Sequence, residues 1–401
     1  MVTVTTVELG IDIGSVRTKV ACRDQVWHGP SSADAAGVLP EVARREFGTE
    51  PGAAAVVVAV PDRWTTAGVD GMWTGAVERT AEGAELARVL TERAGFASVR
   101  LVPASQCVVA AHGGTSGCVL VCDVGGSSVT AAVYSCDATT SRLLDSESAE
   151  TAVRESLRRA ARVDPAEAAA FEDHRCHAAG RAAVVLERAR THERYLGTPV
   201  YLYGRDHVTA EAALSVLRPL ATLAAEVVGT VLARVGEPVE LVLLTGGNVL
   251  GPVEAAVRAA ATRPVRVLAP EQAAVGAWRI ATGAATALDG YPHELGIGVR
   301  QVVSGLLESV TMPVDGRVPI TVEVETDHFG HLPVRVRIDG QGPWREAGQA
   351  DPVRVPRGTY RVTALGRRGG LGAVLLRPAG PGADIVVPLG AEAGPAFDGT
   401  S

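Results

Sequence analysis

Two stretches of this chain share one pattern, and the pair limits what it can fold into more than any other feature. The first is Leu9-Gly10-Ile11-Asp12-Ile13-Gly14-Ser15-Val16-Arg17-Thr18-Lys19-Val20-Ala21. It reads as a strand ending in an Asp, a glycine turn with a small hydroxyl, and a strand running back. The second is Val119-Leu120-Val121-Cys122-Asp123-Val124-Gly125-Gly126-Ser127-Ser128-Val129-Thr130-Ala131-Ala132-Val133-Tyr134, which repeats the order. Either alone is compatible with a plain structural hairpin. Glycine also lets a backbone come close to a ligand, and turn N–H groups form a nest for anions. Two copies therefore predict an internal duplication, with two half-domains facing each other. An Asp in each hairpin suits Mg²⁺ held through water, because Mg²⁺ takes few protein carboxylates and keeps water and phosphate oxygens.

The rest of the chain supports an α/β layered fold. Residues 31–48 read as a helix, with Asp34 near its start and Gly48 past its end. Ala53–Val60 is a fully buried strand, 82–94 a helix closed by Gly95, Val99–Val102 a short strand and Gln106–His112 a helix. Residues 151–194 are helical, and Asp164 before Pro165 is a helix start. A strand at 200–203 leads to a long helix over 209–235, despite Pro219. Glu240–Leu244 is a buried strand running into Thr245-Gly246-Gly247-Asn248. A helix at 252–261, a strand at 265–267 and an Ala-rich helix over 271–287 close a first domain of residues 1–290.

The tail differs. Val318–Val324, Leu332–Ile338, Val353–Val355, Thr359–Ala364, Ala373–Arg377 and Asp384–Pro388 read as short alternating strands between Gly-rich turns. They predict an all-β module over 295–392, with 393–401 a disordered tail.

Composition excludes some classes. A net charge of −7 argues against nucleic acid as the main partner. The N-terminus lacks a signal-peptide pattern, and apolar runs such as Ala53–Val60 are too short to span a bilayer, so no transmembrane segment is expected. The six cysteines lack zinc-like pairing. Cys118 and Cys122 share one strand face and read as small buried hydrophobes, and a reducing cytoplasm is the expected compartment. His174, Cys176 and His177 lack a fourth metal ligand and read as an exposed polar helix face. Asp62-Arg63 reads as a loop ion pair or a phosphate contact. The Arg-rich runs at 154–162 and 187–194 read as solvated helix faces.

Asp12-Ile-Gly14, Asp123-Val-Gly125-Gly126 and Thr245-Gly246-Gly247, in that order, resemble the actin, sugar-kinase and heat-shock chaperone superfamily. The likeness is nearest to the heat-shock protein 70 (DnaK) nucleotide-binding domain. Val58-Ala59-Val60-Pro61, the segment Arg93 to Gly113, Glu187-Arg188-Ala189-Arg190 and Pro270-Glu271-Gln272-Ala273 also resemble parts of that domain. The resemblance implies duplicated ribonuclease-H-like half-domains. It implies ATP or ADP with Mg²⁺ held through water by Asp12 and Asp123. Phosphates would be clasped by Gly14, Ser15, Val16, Gly125, Gly126, Ser127 and Ser128. The adenosine would lie by Gly246, Gly247 and Asn248, with Arg190 stacked on the base.

The departures matter too. The resembled chaperones carry a lobe with a catalytic Lys between the first hairpin and the next strand, and a catalytic Glu where Ala104 stands here. Here the first lobe is reduced, and Leu250 replaces their base-stacking Arg. The resemblance thus implies nucleotide binding with weak or no ATPase. Three functions remain open. One is a chaperone-like protein whose β module meets a client or assembly partner. Another is an actin-related scaffold or adaptor of the FtsA and PilM type. The third is a small-molecule kinase, for which Asp62, Asp70 and Glu78 are the nearby bases.

Overall fold

The computed structural model describes residues 6–30, 35–65, 72–74, 81–235, 238–288, 294–314, 319–337, 343–349, 351–367 and 371–390. Asp34, Asp70, Glu78 and the tail 393–401 lie outside the described residues. The chain divides into two compact units: residues 1–64, 81–141 and 145–287 form one, and residues 65–80, 142–144 and 288–401 the other.

The first unit opens with β1 (Val7–Ile13), β2 (Arg17–Cys22) and β3 (Gln25–Pro30), joined as antiparallel neighbours. Between β3 and β4 (Ala54–Val60) stand only α1 (Ala35–Phe47) and a short 3₁₀ turn among the described residues. β5 (Met72–Thr74) belongs to the other unit. Then come α2 (Ala81–Arg88), β6 (Ser98–Pro103) and α3 (Ala104–His112). The sheet order is β3-β2-β1-β4-β6, with β1, β4 and β6 parallel. β4 has no polar side chain, as a strand covered on both faces requires.

The second half repeats this plan. β7 (Gly117–Val124), β8 (Ser128–Cys136) and β9 (Thr140–Glu150) are followed by α4 (Val153–Ala160), α5 (Ala168–His177) and α6 (Ala179–Thr191). A small hairpin, β10 (Pro199–Tyr203) with β11 (Asp206–Thr209), leads to α7 (Ala210–Arg234). β12 (Val239–Thr245), α8 (Gly251–Ala261), β13 (Val265–Val267), α9 (Gln272–Ala281) and β14 (Thr286–Leu288) complete it. Its sheet runs β13-β12-β7-β8-β9-β14, with β7, β12 and β13 parallel. Counted within each half, and setting aside the edge strand β14, both sheets follow the order 3-2-1-4-5. This is an α/β fold of duplicated ribonuclease-H-like half-domains, the actin-like ATPase architecture.

α9 crosses back onto the first half. A Cβ on Gly10 of β1 would fall 2.1 Å from the Trp278 nitrogen, and one on Gly276 would fall 1.6 Å from the Cys107 carbonyl oxygen. Only glycine lets helix and strand backbones approach this closely. α9 ends at Ala281, short of the expected helix over 271–287. Gly283 takes φ +74, a helix-ending conformation, and Thr286–Leu288 joins the sheet edge as β14. α7 is long and apolar enough to cross a membrane by length and composition. Its buried residues, among them Ala213, Leu217, Leu220, Ala224, Val228 and Val231, recur at helical spacing and form one stripe.

The second unit is all-β. β15 (Glu294–Val303), β16 (Leu306–Val314), β17 (Ile320–Glu323), β18 (Val334–Arg337), β19 (Arg345–Glu346), β20 (Thr359–Arg367), β21 (Leu371–Pro378) and β22 (Ile385–Pro388) form two sheets, β16-β15-β18-β19 and β17-β20-β21-β22. Leu295, Ile297 and Val336 of one sheet share a single core with Val362, Val374 and Val387 of the other, so the unit is a sandwich.

Four strands here, β5, β15, β16 and β19, fall outside the sequence expectation. The β15–β16 hairpin turns on Ser304 and Gly305, both at positive φ, a two-residue connection with no Asn-Gly or Asp-Gly to mark it. β5 pairs antiparallel with β20, Trp73 opposite Gly366, which groups 65–80 with this unit rather than with residues 1–290. The expected strand at Val353–Val355 is a single bridge at Arg354.

Candidate functional site

The two hairpin turns are built alike. Gly14 N donates to Arg17 O at 3.1 Å, and Gly125 N donates to Ser128 O at 2.9 Å. The turns face each other. A Cβ on Gly126 would lie 3.1 Å from Ser15 Oγ and 3.2 Å from Val16 Cγ2. Asp12 and Asp123 sit just before the turns, each at the strand end that the next parallel strand also reaches. Asp12 is in register with Ala59 of β4, and Asp123 with Thr245 of β12.

Around the turns lies a cavity of about 710 Å³, the size of pockets that take drug-sized or cofactor-sized ligands. Of the residues expected at the site, Asp12, Gly14, Ser15, Val16, Asp123, Gly125, Gly126, Ser127, Ser128, Gly246, Gly247 and Asn248 all line it. Arg190 does not. It donates to Glu187 Oε2 at 2.9 Å, beside Gly251. Helical residues reach the cavity about one turn either side of Ala178, where α5 gives way to α6. Glu172, Arg175, Cys176, Ala179, Gly180 and Ala183 line it there. Residues 151–194 read as one helical region, which hid this break.

The third turn is tied to the second hairpin. Gly246 takes φ +115, and a Cβ there would lie 2.4 Å from Val124 O and 2.6 Å from Asp123 Oδ1. Asn248 Nδ2 donates to Gly125 O at 2.8 Å. Arg175 Nη2 donates to Asn248 Oδ1 at 3.0 Å, and its Nη1 to Glu172 at 2.7 Å. Arg175 also lies over the Tyr201 ring, 5.2 Å from its centroid. Arg175 and Glu172 are both buried and form an ion pair on the inward face of α5, while His177 is exposed and His174 and Cys176 are half-buried. His174 packs edge-on to Tyr203. Among the described residues no group of three His, Cys, Asp or Glu is placed to hold a metal.

Lys19 was not singled out by its sequence position. It stands opposite Asp12 across β1 and β2, and its Nζ donates to Asp12 Oδ2 at 2.6 Å. The available signal was its uniqueness: every other basic residue apart from histidine is Arg. Burial works against the ammonium, but Asp12 and Asp123 outweigh it and raise its pKa. In the second hairpin Thr130 occupies the matching place opposite Asp123.

Burial, then the charges of Asp12 and Asp62, push the Asp123 carboxyl up to about 7. Two carboxylates on facing hairpins that repel each other fit a divalent cation. With few carboxylates nearby, the donor set fits Mg²⁺, which fills its remaining positions with water and phosphate oxygens.

Asp62 and Arg63, read as a loop ion pair or a phosphate contact, both line the cavity. Asp62 is buried just past the end of β4, where it pairs with Ser105. Oδ2 accepts from Ser105 N at 3.3 Å, and Oδ1 from the Ser105 hydroxyl. Asp62 and Ala104 both line the cavity, as does Leu250.

No family model matches the chain, and no curated protein matches it in sequence. Many solved structures are similar to it, two of them as follows. The ethanolamine utilization protein EutJ from Carboxydothermus hydrogenoformans is 17% identical, with a TM-score of 0.43, over 67% of this chain and 88% of that one. MreB5 of Spiroplasma citri bound to ADP is 12% identical, also with a TM-score of 0.43, over 70% of this chain and 98% of that one. The fold assignment above rests on the repeated strand order.

Proposed function

We propose that this chain binds an adenine nucleotide, ATP or ADP with Mg²⁺, between its two hairpins and turns it over slowly. The observation that carries the reading is the matched pair of glycine turns, each preceded by an Asp, facing each other on one cavity. Turn amides would hold the phosphates, and Asp12 and Asp123 would hold Mg²⁺ through water. The ion supplies charge neutralisation at the phosphates. Lys19 adds a fixed positive charge beside Asp12. The small residues Ala179, Gly180, Ala183 and Gly247 and the apolar Leu250 line the same cavity, a lining that suits a flat, largely apolar ring.

Slow turnover follows from the wall chemistry. Phosphoryl transfer depends on positioning and electrostatics. Ala104 gives a methyl where the resembled chaperones carry a carboxylate.

The reading extends to a protein partner. The β sandwich presents Val302 and Leu306, each 67% exposed, on either side of the turn of the β15–β16 hairpin. An actin-like scaffold with this unit as its partner surface suits the single helix between β3 and β4 among the described residues. A chaperone-like protein that grips clients through the same unit is the second reading, favoured by that apolar hairpin tip. Melting temperature and phosphate release, followed together during titration with ATP and Mg²⁺, test the nucleotide claim. A rise in melting temperature with slow release is expected. No rise would refute it, and turnover that requires an added sugar or acid would point to a kinase.

A further inference from the structure

Val60 at the end of β4 is in register with Pro103 at the end of β6. The chains leaving the two strands therefore emerge side by side, next to Asp12 of β1. One carries Asp62 and the other Ala104, and both reach the cavity. The carboxylate missing at Ala104 is thus matched by a carboxylate on the adjacent strand end.

Asp62 is held firmly. Both its oxygens accept from Ser105, one from the backbone N–H at the start of α3 and one from the hydroxyl. The Ser105 hydroxyl in turn meets the Tyr134 hydroxyl from β8 at 2.5 Å. Asp62 is 7% exposed, Ser105 1% and Tyr134 0%. A carboxylate fixed in this way at a cavity wall has the geometry of a general base, which must be oriented before it can take a proton. Two polar anchors from the first half and one from the second set its position.

We infer that Asp62 accepts the proton of the water that attacks the terminal phosphate of a bound nucleoside triphosphate. The inference rests on the nucleotide reading above. The water oxygen forms a bond to the γ-phosphorus, and the bond from that phosphorus to the β–γ bridging oxygen breaks. The electron pair leaves with the nucleoside diphosphate. The proton passes to the Asp62 carboxylate and on to solvent, and nothing is oxidised or reduced. Ser105 and Tyr134 are positioning residues.

The local chemistry agrees. Burial pushes the Asp62 pKa up to about 6, against the pull of its hydrogen bonds. A base with that value is ionised at neutrality and accepts a proton more readily than an ordinary aspartate. Cys107, Tyr134 and Asp123 feel its charge.

The test uses the full chain with ATP and Mg²⁺, protein in excess, and follows phosphate release in a single turnover beside the nucleotide-induced melting shift. Asp62→Asn should keep the shift and slow release by about a hundredfold, and Asp62→Glu should recover part of the rate. Release by Asp62→Asn at the wild-type rate would overturn the inference. So would wild-type protein that binds ATP and releases no phosphate. Wild-type protein that shows no melting shift would overturn the nucleotide reading itself. If Asp62→Asn does not fold, Ser105→Ala decides: slower release with intact binding supports the role, and an unchanged rate contradicts it.

Discussion

Lys19 Nζ lies 2.6 Å from Asp12 Oδ2, the two residues facing each other across β1 and β2. Their side chains are 13% and 12% exposed, so each is the other's main compensation for leaving water. Breaking a buried pair by removing one partner strands the other charge. Lys19→Met should therefore destabilise the fold by about 3 kcal/mol in urea denaturation. The double variant with Asp12→Asn should be more stable than Lys19→Met alone. A double variant as unstable as the sum of the singles would show that the pair is not coupled.

The Asp62 carboxyl gives a pH dependence of defined sign. Its pKa rises from 3.8 to about 6 on folding. The folded state then binds more protons than the unfolded chain between these values, so stability falls as pH rises through that window. The contribution is complete below the unfolded value and gone above the folded one. Asp62→Asn removes this slope. Relative to wild type, the variant should gain about 2 kcal/mol between pH 4 and pH 8, read by chemical denaturation at both. A difference that does not change with pH would contradict the burial of an ionised Asp62.

Gly246 and Gly247 stand together in the third turn but should respond differently. Gly246 has a positive φ, and a Cβ there meets the Val124 carbonyl and the Asp123 carboxylate. Gly247 has nothing within 4 Å of a Cβ. Gly246→Ala should cost about 2–4 kcal/mol of stability, and Gly247→Ala should fall within about 1 kcal/mol of wild type. Thermal melts of the two variants compare them directly. Equal effects would mean that the third turn does not pack on the second hairpin as described.

Much of the fold was legible because its signals are local. The Asp-Gly hairpins, the polar-free run of β4 and the Gly pair after β12 carry their meaning within a few residues. So did Asp164, which accepts from Ala166 N as a helix-start residue should. What was missed depends on distant partners. β5 is a strand because β20 lies beside it, and nothing in Met72–Thr74 says so. Asp62 looked like a loop residue because Ser105, its partner, lies on another strand's helix. Arg190 was placed at the base by likeness, whereas the break at Ala178 brings Arg175 to the cavity instead. Lys19 was visible as the chain's only lysine, but its pairing with Asp12 required the hairpin register.

The central claim is that Asp12 and Asp123 are the two metal-facing jaws of one nucleotide cleft. Isothermal titration of ATP with Mg²⁺ into wild-type protein, Asp12→Ala and Asp123→Ala measures this directly. The account predicts one site on the wild-type chain and loss of binding in both variants. Binding by both variants with wild-type affinity, or no binding by the wild-type chain, would contradict it.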